Sequence, residues 1–206
     1  MNDITVAILA GGSSKRFGSD KSLAEFQGRP LISHMLDIAK KISPTVLVAV
    51  SSEEQEENLR PLVKNATFAV DPDDEPKCAL TGALTAFEHT ETTYTLLLPV
   101  DSPLAEPDLL KMLVRLSPGH GAVIPSWPSG YIEPLHSVYL AEHAYTLGLK
   151  VIEEGLRRMS DLLSRIQHVL YISTETLKQF DEDLHTFTNF NTARELKMAE
   201  RKSQRK

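Results

Sequence analysis

Residues 4–22 read Ile4-Thr5-Val6-Ala7-Ile8-Leu9-Ala10-Gly11-Gly12-Ser13-Ser14-Lys15-Arg16-Phe17-Gly18-Ser19-Asp20-Lys21-Ser22. The opening run is β-branched and almost uninterruptedly apolar, the pattern of a strand buried on both faces, so the glycines fall where a parallel strand ends. In open α/β sheets, ligands bind at those carboxyl ends. Gly11 and Gly12 permit backbone conformations and close approaches barred to residues with a Cβ, which lets successive amides turn toward an anion. Lys15, Arg16 and Lys21 add three cations within seven positions, the charge demand of a triphosphate. An ordinary glycine turn with solvated charges is the alternative, but it does not explain why strand, glycines and cations coincide.

Two familiar glycine motifs do not fit. A Walker loop needs G-x-x-x-x-G-K-[ST], whereas Ser19 and Asp20 separate Gly18 from Lys21-Ser22. The dinucleotide fingerprint G-x-G-x-x-G fails because Gly11 and Gly12 are adjacent and no third glycine follows at the required offset.

The whole chain sets the frame for this loop. Its 206 residues suffice for one sizeable core, and 41% hydrophobic with 24% charged residues is the balance of a globular chain rather than a disordered one. A net charge of −6 argues against general nucleic-acid binding, while a local basic pocket at Lys15, Arg16, Lys21 and Arg29 suits a small anionic ligand. Met1-Asn2-Asp3 leads directly into the first strand and no apolar run approaches a membrane span, so neither a secretory signal nor a membrane anchor is expected. Cys78 is the only cysteine, which excludes an intrachain disulfide and a cysteine zinc site and points to the cytoplasm. A small packing role for Cys78 is favoured over a reactive thiol.

Apolar, β-rich runs recur at residues 4–10, 45–50, 67–70, 94–100, 122–125, 131–140 and 169–172. Residues 31–42, 53–63, 80–89, 107–116 and 142–165 carry apolar residues near a helical period. This alternation predicts a three-layer αβα sandwich around a mostly parallel, Rossmann-like sheet. Strands 122–125 and 131–140 follow one another with only residues 126–130 between them, which suggests an antiparallel edge element. Pro30 suits the first turn of the helix that follows it. The acidic run from Glu53 to Glu57 reads as a solvated first turn favoured by the helix dipole. One domain is expected over residues 1–193, with a C-terminal helix and basic tail over 194–206.

A second site candidate is Leu96-Leu97-Leu98-Pro99-Val100-Asp101-Ser102-Pro103, a carboxylate at the end of a very apolar strand. At the rim of a parallel sheet Asp101 faces the glycine loop, where it could hold Mg²⁺, a hard cation suited to one carboxylate plus phosphates and water. Capping the following helix is the competing role. Asp71, in the acidic stretch Val70-Asp71-Pro72-Asp73-Asp74-Glu75-Pro76, reads alone as part of a surface loop. His136, within an apolar strand pattern, reads as structural rather than catalytic. Asn191 is open between a turn role and support of a metal or substrate.

Residues 9–21 closely resemble L-A-G-G-x-S-x-R-[MF]-G-x-D-K, the signature of nucleotidyltransferases of the molybdenum cofactor guanylyltransferase family, and every fixed position is filled. The resemblance extends across nearly the whole chain. Pro99–Pro103 is similar to the family's aspartate run, and Leu80-Thr81-Gly82-Ala83 to its P-L-[AT]-G-[IA] element, with Cys78-Ala79 in place of the usual Gly-Pro. Glu133-Pro134-Leu135-His136-Ser137-Val138-Tyr139 is similar to [EQ]-P-L-x-[AS]-x-Y, and the segment from Asn189 through Leu196 to N-x-N-T-P-E-[DE]-L, with Ala193 for the proline. The resemblance implies a nucleotide-diphospho-sugar transferase type of fold and transfer of GMP from GTP to the terminal phosphate of molybdopterin. It implies nucleotide contacts from Leu9, Ala10, Gly11, Gly12, Ser13, Lys21, Asp71 and Asp101, catalysis by Lys21, Arg16 and Asp101, and Mg²⁺ held on Asp101. Proteins of molybdopterin synthesis or molybdoenzyme maturation are the implied transient partners. A cytidylyltransferase on the same pterin, a sugar-phosphate nucleotidyltransferase, and a noncatalytic nucleotide- or cofactor-binding module are the alternatives. Retention of Lys21 and Asp101 weighs against the last.

Overall fold

The computed structural model describes residues 3–11 and 20–203. The expected contacts of Gly12, Ser13 and Arg16, and the cation Lys15, lie outside the described residues. Strand β1 (Ile4–Leu9) is followed by a 3₁₀ turn (Lys21–Leu23) and a hairpin of β2 (Glu25–Phe26) and β3 (Arg29–Pro30). Gln27 and Gly28 are both left-handed, at φ 51° and 72°, the two-residue turn that matches the twist of a hairpin. Then come α1 (Leu31–Lys40), β4 (Val46–Val50), α2 (Glu53–Leu59), β5 (Thr67–Val70), α3 (Ala79–Glu88), β6 (Tyr94–Pro99), α4 (Pro107–Arg115) and β7 (Ala122–Ser126). The chain continues through β8 (Val138–Leu140), α5 (Ala141–Glu153), α6 (Met159–Leu163), β9 (Val169–Ser173), α7 (Thr174–Leu177), a second 3₁₀ turn (His185–Phe187) and α8 (Ala193–Ser203).

Seven strands form one sheet in the order β5-β4-β1-β6-β8-β7-β9. Every pairing is parallel except those of β8 with β6 and with β7. The α/β, mostly parallel expectation therefore holds, with one correction of place: the antiparallel strand is internal, not at the edge. Along β1, Ile4, Val6 and Ile8 enter the core beneath α1, α4 and α8, while Ala7 and Leu9 enter the core beneath α3, α5 and α6. Burial on both faces explains why β1 and β6 read as unbroken apolar runs.

Two elements differ from expectation for local reasons. Of residues 131–140, only Val138–Leu140 forms a strand, because Pro134 has no N–H to give a ladder and the His136 amide turns back onto the Glu133 carbonyl at 3.1 Å. Residues 142–165 are two helices rather than one. Gly155, at φ 81°, ends α5, and the Asp161 carboxylate accepts the Arg158 amide at 3.0 Å to start α6. Pro30 sits one place earlier than expected, just before α1. In α2 the Ser52 hydroxyl caps the Gln55 amide, and Glu53, Glu54 and Glu57 are exposed.

Candidate active site

The carboxyl ends of β1, β4, β5 and β6 converge on a cleft of about 330 Å³. The ladder extends one step past the strands: the Ala10 and Gly11 amides both bond the Ala49 carbonyl, Asp71 bonds Val50, and Val100 bonds Leu9. This backbone continuity fixes where the rim side chains begin. Leu9, Ala10, Gly11, Lys21, Asp71 and Asp101 all line the cleft, so the structure brings together every described residue singled out for nucleotide contact. Gly11 has a local reason to lack a side chain, since a Cβ there would lie 3.2 Å from both Asp71 Oδ2 and the Ser51 nitrogen.

Lys21 is aimed by its own turn. Asp20 Oδ1 accepts the Ser22 amide at 2.9 Å, capping the 3₁₀ turn, and Ser22 is buried with its hydroxyl toward the Ala10 carbonyl. The Lys21 ammonium then donates to Asp101 Oδ2 and, at 3.1 Å, to Asn191 Oδ1. The ion pair is largely sheltered, its side chains 17% and 14% exposed. Asp101 Oδ1 is buried without a hydrogen-bond partner among the described residues. Asp101 does not cap the helix after it, because α4 begins at Pro107 and is preceded by Glu106.

Asp71 is only 5% exposed, and burial pushes its carboxyl above the usual carboxylate range, against the smaller pull of the Thr85 hydroxyl and the Lys77 ammonium. Its Oδ1 is likewise buried and unpartnered among the described residues. Asp71 therefore belongs to the cleft and not, as its sequence context suggests in isolation, to an acidic surface loop. Cys78 also lines the cleft, with Sγ 3.3 Å from the Thr81 hydroxyl at the start of α3.

Three contributing residues, Gln55, Lys77 and Ser102, escape sequence reasoning. Gln55 braces the rim, its Nε2 donating to the Ala10 carbonyl at 3.1 Å and its Oε1 accepting the Ser51 amide at 2.8 Å. Lys77 brings a second cation to the cleft and donates to the Ser51 carbonyl. Ser102 lies fully buried behind Asp101, bonded to His136 Nε2 and to Asn189 Oδ1. A neutral amide within the acidic run of α2 was the one available signal for Gln55; Lys77 and Ser102 gave none beyond residue type, while Asn189 was marked by the N-x-N-T-P-E-[DE]-L resemblance without a role. The missing proline at 193 falls at the first position of α8, where the Thr192 hydroxyl, accepting the Glu195 amide at 3.2 Å, supplies the helix start instead.

Among the described residues no group of three His, Cys, Asp or Glu side chains stands ready to hold a metal. The bare Oδ1 of Asp101 instead suits a hard cation that takes the rest of its shell from phosphate and water. Among those same residues, no helix is long and apolar enough to cross a membrane.

A parallel sheet whose rim carries a lysine, two carboxylates and a glycine-backed cleft defines an α/β protein for a phosphorylated ligand. The sequence pattern of the MobA-like NTP transferase domain matches residues 6–169, and the chain belongs to that family. It is similar to the "Probable molybdenum cofactor guanylyltransferase" of Pyrococcus horikoshii, 32% identical over 198 residues that cover 94% of this chain and 97% of the relative. The protein of the same name from Natronomonas pharaonis is 30% identical over 206 residues, covering 97% and 98%. A crystal structure of molybdopterin-guanine dinucleotide biosynthesis protein A from Archaeoglobus fulgidus superposes with a TM-score of 0.83 at 29% identity, covering 98% of this chain and 100% of that one.

Proposed function

We propose that this protein transfers GMP from GTP to the terminal phosphate of molybdopterin and releases pyrophosphate. The observation that carries the reading is the Lys21 ammonium, held at the cleft between Asp101 and Asn191 in a chain so similar to named guanylyltransferases. An oxygen of the acceptor phosphate attacks the α-phosphorus of GTP, a new P–O bond forms, and the bond to the β-phosphate oxygen breaks. Acceptor and triphosphate repel, so the protein's task is to orient them and to neutralise developing charge, with no protein nucleophile or base required.

Lys21 meets the non-bridging oxygens of the α-phosphate, exchanging part of its contact with Asp101 for the substrate. Arg16 and the amides of Gly11, Gly12 and Ser13 hold the departing phosphates. Asp101 would hold Mg²⁺, and that ion would supply positive charge to offset the charge on the triphosphate and on the leaving pyrophosphate. The apolar wall of Leu9, Ala49, Ala79 and Leu135 excludes water from the organic part of the nucleotide. Residues 1–193 act as the nucleotidyltransferase domain. The reaction is placed in the cytoplasm, with transient delivery from or to proteins that make or insert the pterin cofactor.

Cytidylyl transfer is the second reading, favoured by one observation: Cys78-Ala79 stands in the cleft where the resembling family carries Gly-Pro. A thermal-shift panel of GTP, CTP, UTP and ATP with Mg²⁺ separates the two, followed by transfer from labelled nucleotide to molybdopterin. GTP should give the largest saturable shift. A larger shift and productive transfer with CTP would overturn the guanylyl assignment.

A further inference from the structure

Behind the cleft, Ser102, His136 and Asn189 form a chain of hydrogen bonds that the transfer chemistry does not use. Ser102 has no exposed surface and His136 is 1% exposed. The Ser102 hydroxyl stands 2.9 Å from His136 Nε2 and donates to Asn189 Oδ1 at 2.6 Å. A hydroxyl has one proton, and a carbonyl oxygen has none to give. With the Ser102 proton committed to Asn189, the bond to His136 is made only if Nε2 carries a hydrogen. The Phe187 ring packs against the imidazole at 5.4 Å and 87°, while Nδ1 is buried with no hydrogen-bond partner among the described residues, 3.8 Å from Oε2 of Glu133, whose Oε1 accepts the Trp127 indole N–H at 2.8 Å.

The chain joins two segments that both reach the site. Ser102 follows Asp101, and Phe190, which follows Asn189, donates its amide to the Asp101 carbonyl at 3.0 Å. The loop after β6 and the segment before α8 are thus tied twice, side chain to side chain and backbone to backbone. Just beyond the tie stand Asp101 Oδ2 and Asn191 Oδ1, both of which accept from the Lys21 ammonium.

We propose that His136 is a positioning residue for Lys21: its Nε2–H orients Ser102, which fixes the spacing of Asp101 and Asn191 and thereby the place of the ammonium. A satisfied core histidine would affect stability alone. Misplacing a group by about 1 Å can cost about 100-fold in rate. The kinetic part rests on the guanylyl-transfer reading, and the spectroscopic part does not.

The test compares wild type with His136→Leu, His136→Gln and Ser102→Ala. His136→Leu should lower kcat about 10- to 100-fold while KM for GTP stays within about twofold. His136→Gln, which can offer an N–H from nearly the same place, should recover most of kcat. Ser102→Ala, a smaller change, should reproduce the kcat loss and carries the test if the leucine variant does not fold. Nitrogen NMR of the wild-type imidazole should show Nε2 protonated. In the leucine variant, or in Ser102→Ala if that variant fails, the Asn189 and Asn191 side-chain amide signals should shift; with leucine, they should return in His136→Gln. A wild type protonated at Nδ1 alone, a folded His136→Leu or Ser102→Ala with normal kcat, or a glutamine variant as slow as the leucine one would overturn the proposal. If wild type transfers no GMP, the function reading falls, and the imidazole and amide signals still decide the tie.

Discussion

Replacing Asp101 by asparagine tests the centre of the site with almost no change of shape. A lone carboxylate at an electronegative rim would be a liability, and its removal would leave the free protein as stable or more so. The structure reverses that sign. Asp101 is the sheltered partner of Lys21, with the two side chains 14% and 17% exposed. Asparagine keeps an oxygen that can accept from the ammonium but turns a charge-assisted bond into an ordinary one, a difference of about 1–2 kcal/mol. For a chain of this size each kcal/mol moves Tm by about 2–4 °C, so Asp101→Asn should melt roughly 2–8 °C lower. Scanning calorimetry without nucleotide measures this, and combining the change with Lys21→Met should give less than the sum of the single losses. In the transfer assay the same variant should fall about 100-fold or more, because on the proposed reading the carboxylate would hold the cation that offsets the charge developing on phosphate. A variant that melts at or above wild type refutes the ion-pair argument, and one that transfers GMP normally removes Asp101 from the chemistry.

Lys21→Ala should lower turnover far more than GTP affinity, and a loss confined to KM would contradict its assignment to the transition state. Asp71→Asn should raise Tm of the free protein at neutral pH, since the wild-type carboxylate keeps a buried oxygen with no hydrogen-bond partner among the described residues, at a cost on the order of 1 kcal/mol. Its carboxyl is raised from 3.8, so the folded state holds the proton more tightly, and wild-type stability is lost as pH climbs from that value through the folded pKa. The advantage of the asparagine should therefore shrink on acidification; an advantage that grows as pH falls would refute the burial argument. Gly148→Ala would set a methyl 2.2 Å from Leu84 Cδ2 between α5 and α3, which should cost about 1–3 kcal/mol by denaturant titration. Adding Leu84→Ala should then cost less than it does in wild type, and simple additivity of the two losses would show that the clash is absorbed elsewhere.

Patterns confined to one stretch of chain were legible in the sequence. Doubly buried strands such as β1 and β6 announce themselves as apolar runs, and Lys21 and Asp101 stand out as charges at the ends of such runs. Placement across the sheet was not legible. β8 follows β7 closely in sequence, and adjacency suggested an edge hairpin, whereas the chain drops β8 into the gap beside β6. The break between α5 and α6 was visible only as Gly155, whose left-handed backbone depends on its surroundings. Asp71 shows the same limit at the site: its neighbours Asp73, Asp74 and Glu75 suggest surface, yet the backbone bond to Val50 pulls it onto the rim. The partnership of Lys21, Asp101 and Asn191 joins positions 80 and 170 residues apart, and periodicity carries no information over such distances.

That separation has a consequence for the birth of the protein. A ribosome releases Lys21 well before Asn191, so the central sheet can assemble while the ammonium still lacks its Asn191 acceptor. Phe190 stacks on Phe26, at 5.8 Å, and Leu196 lies in the core, and these two contacts anchor the segment that carries that acceptor. A nascent chain that has not yet released this segment lacks the Asn191 contact, so the site is complete only once residues 189–196 are docked. Proteolysis or ribosome stalling in that interval would yield a folded but inert species, able to pass as native by its bulk secondary structure.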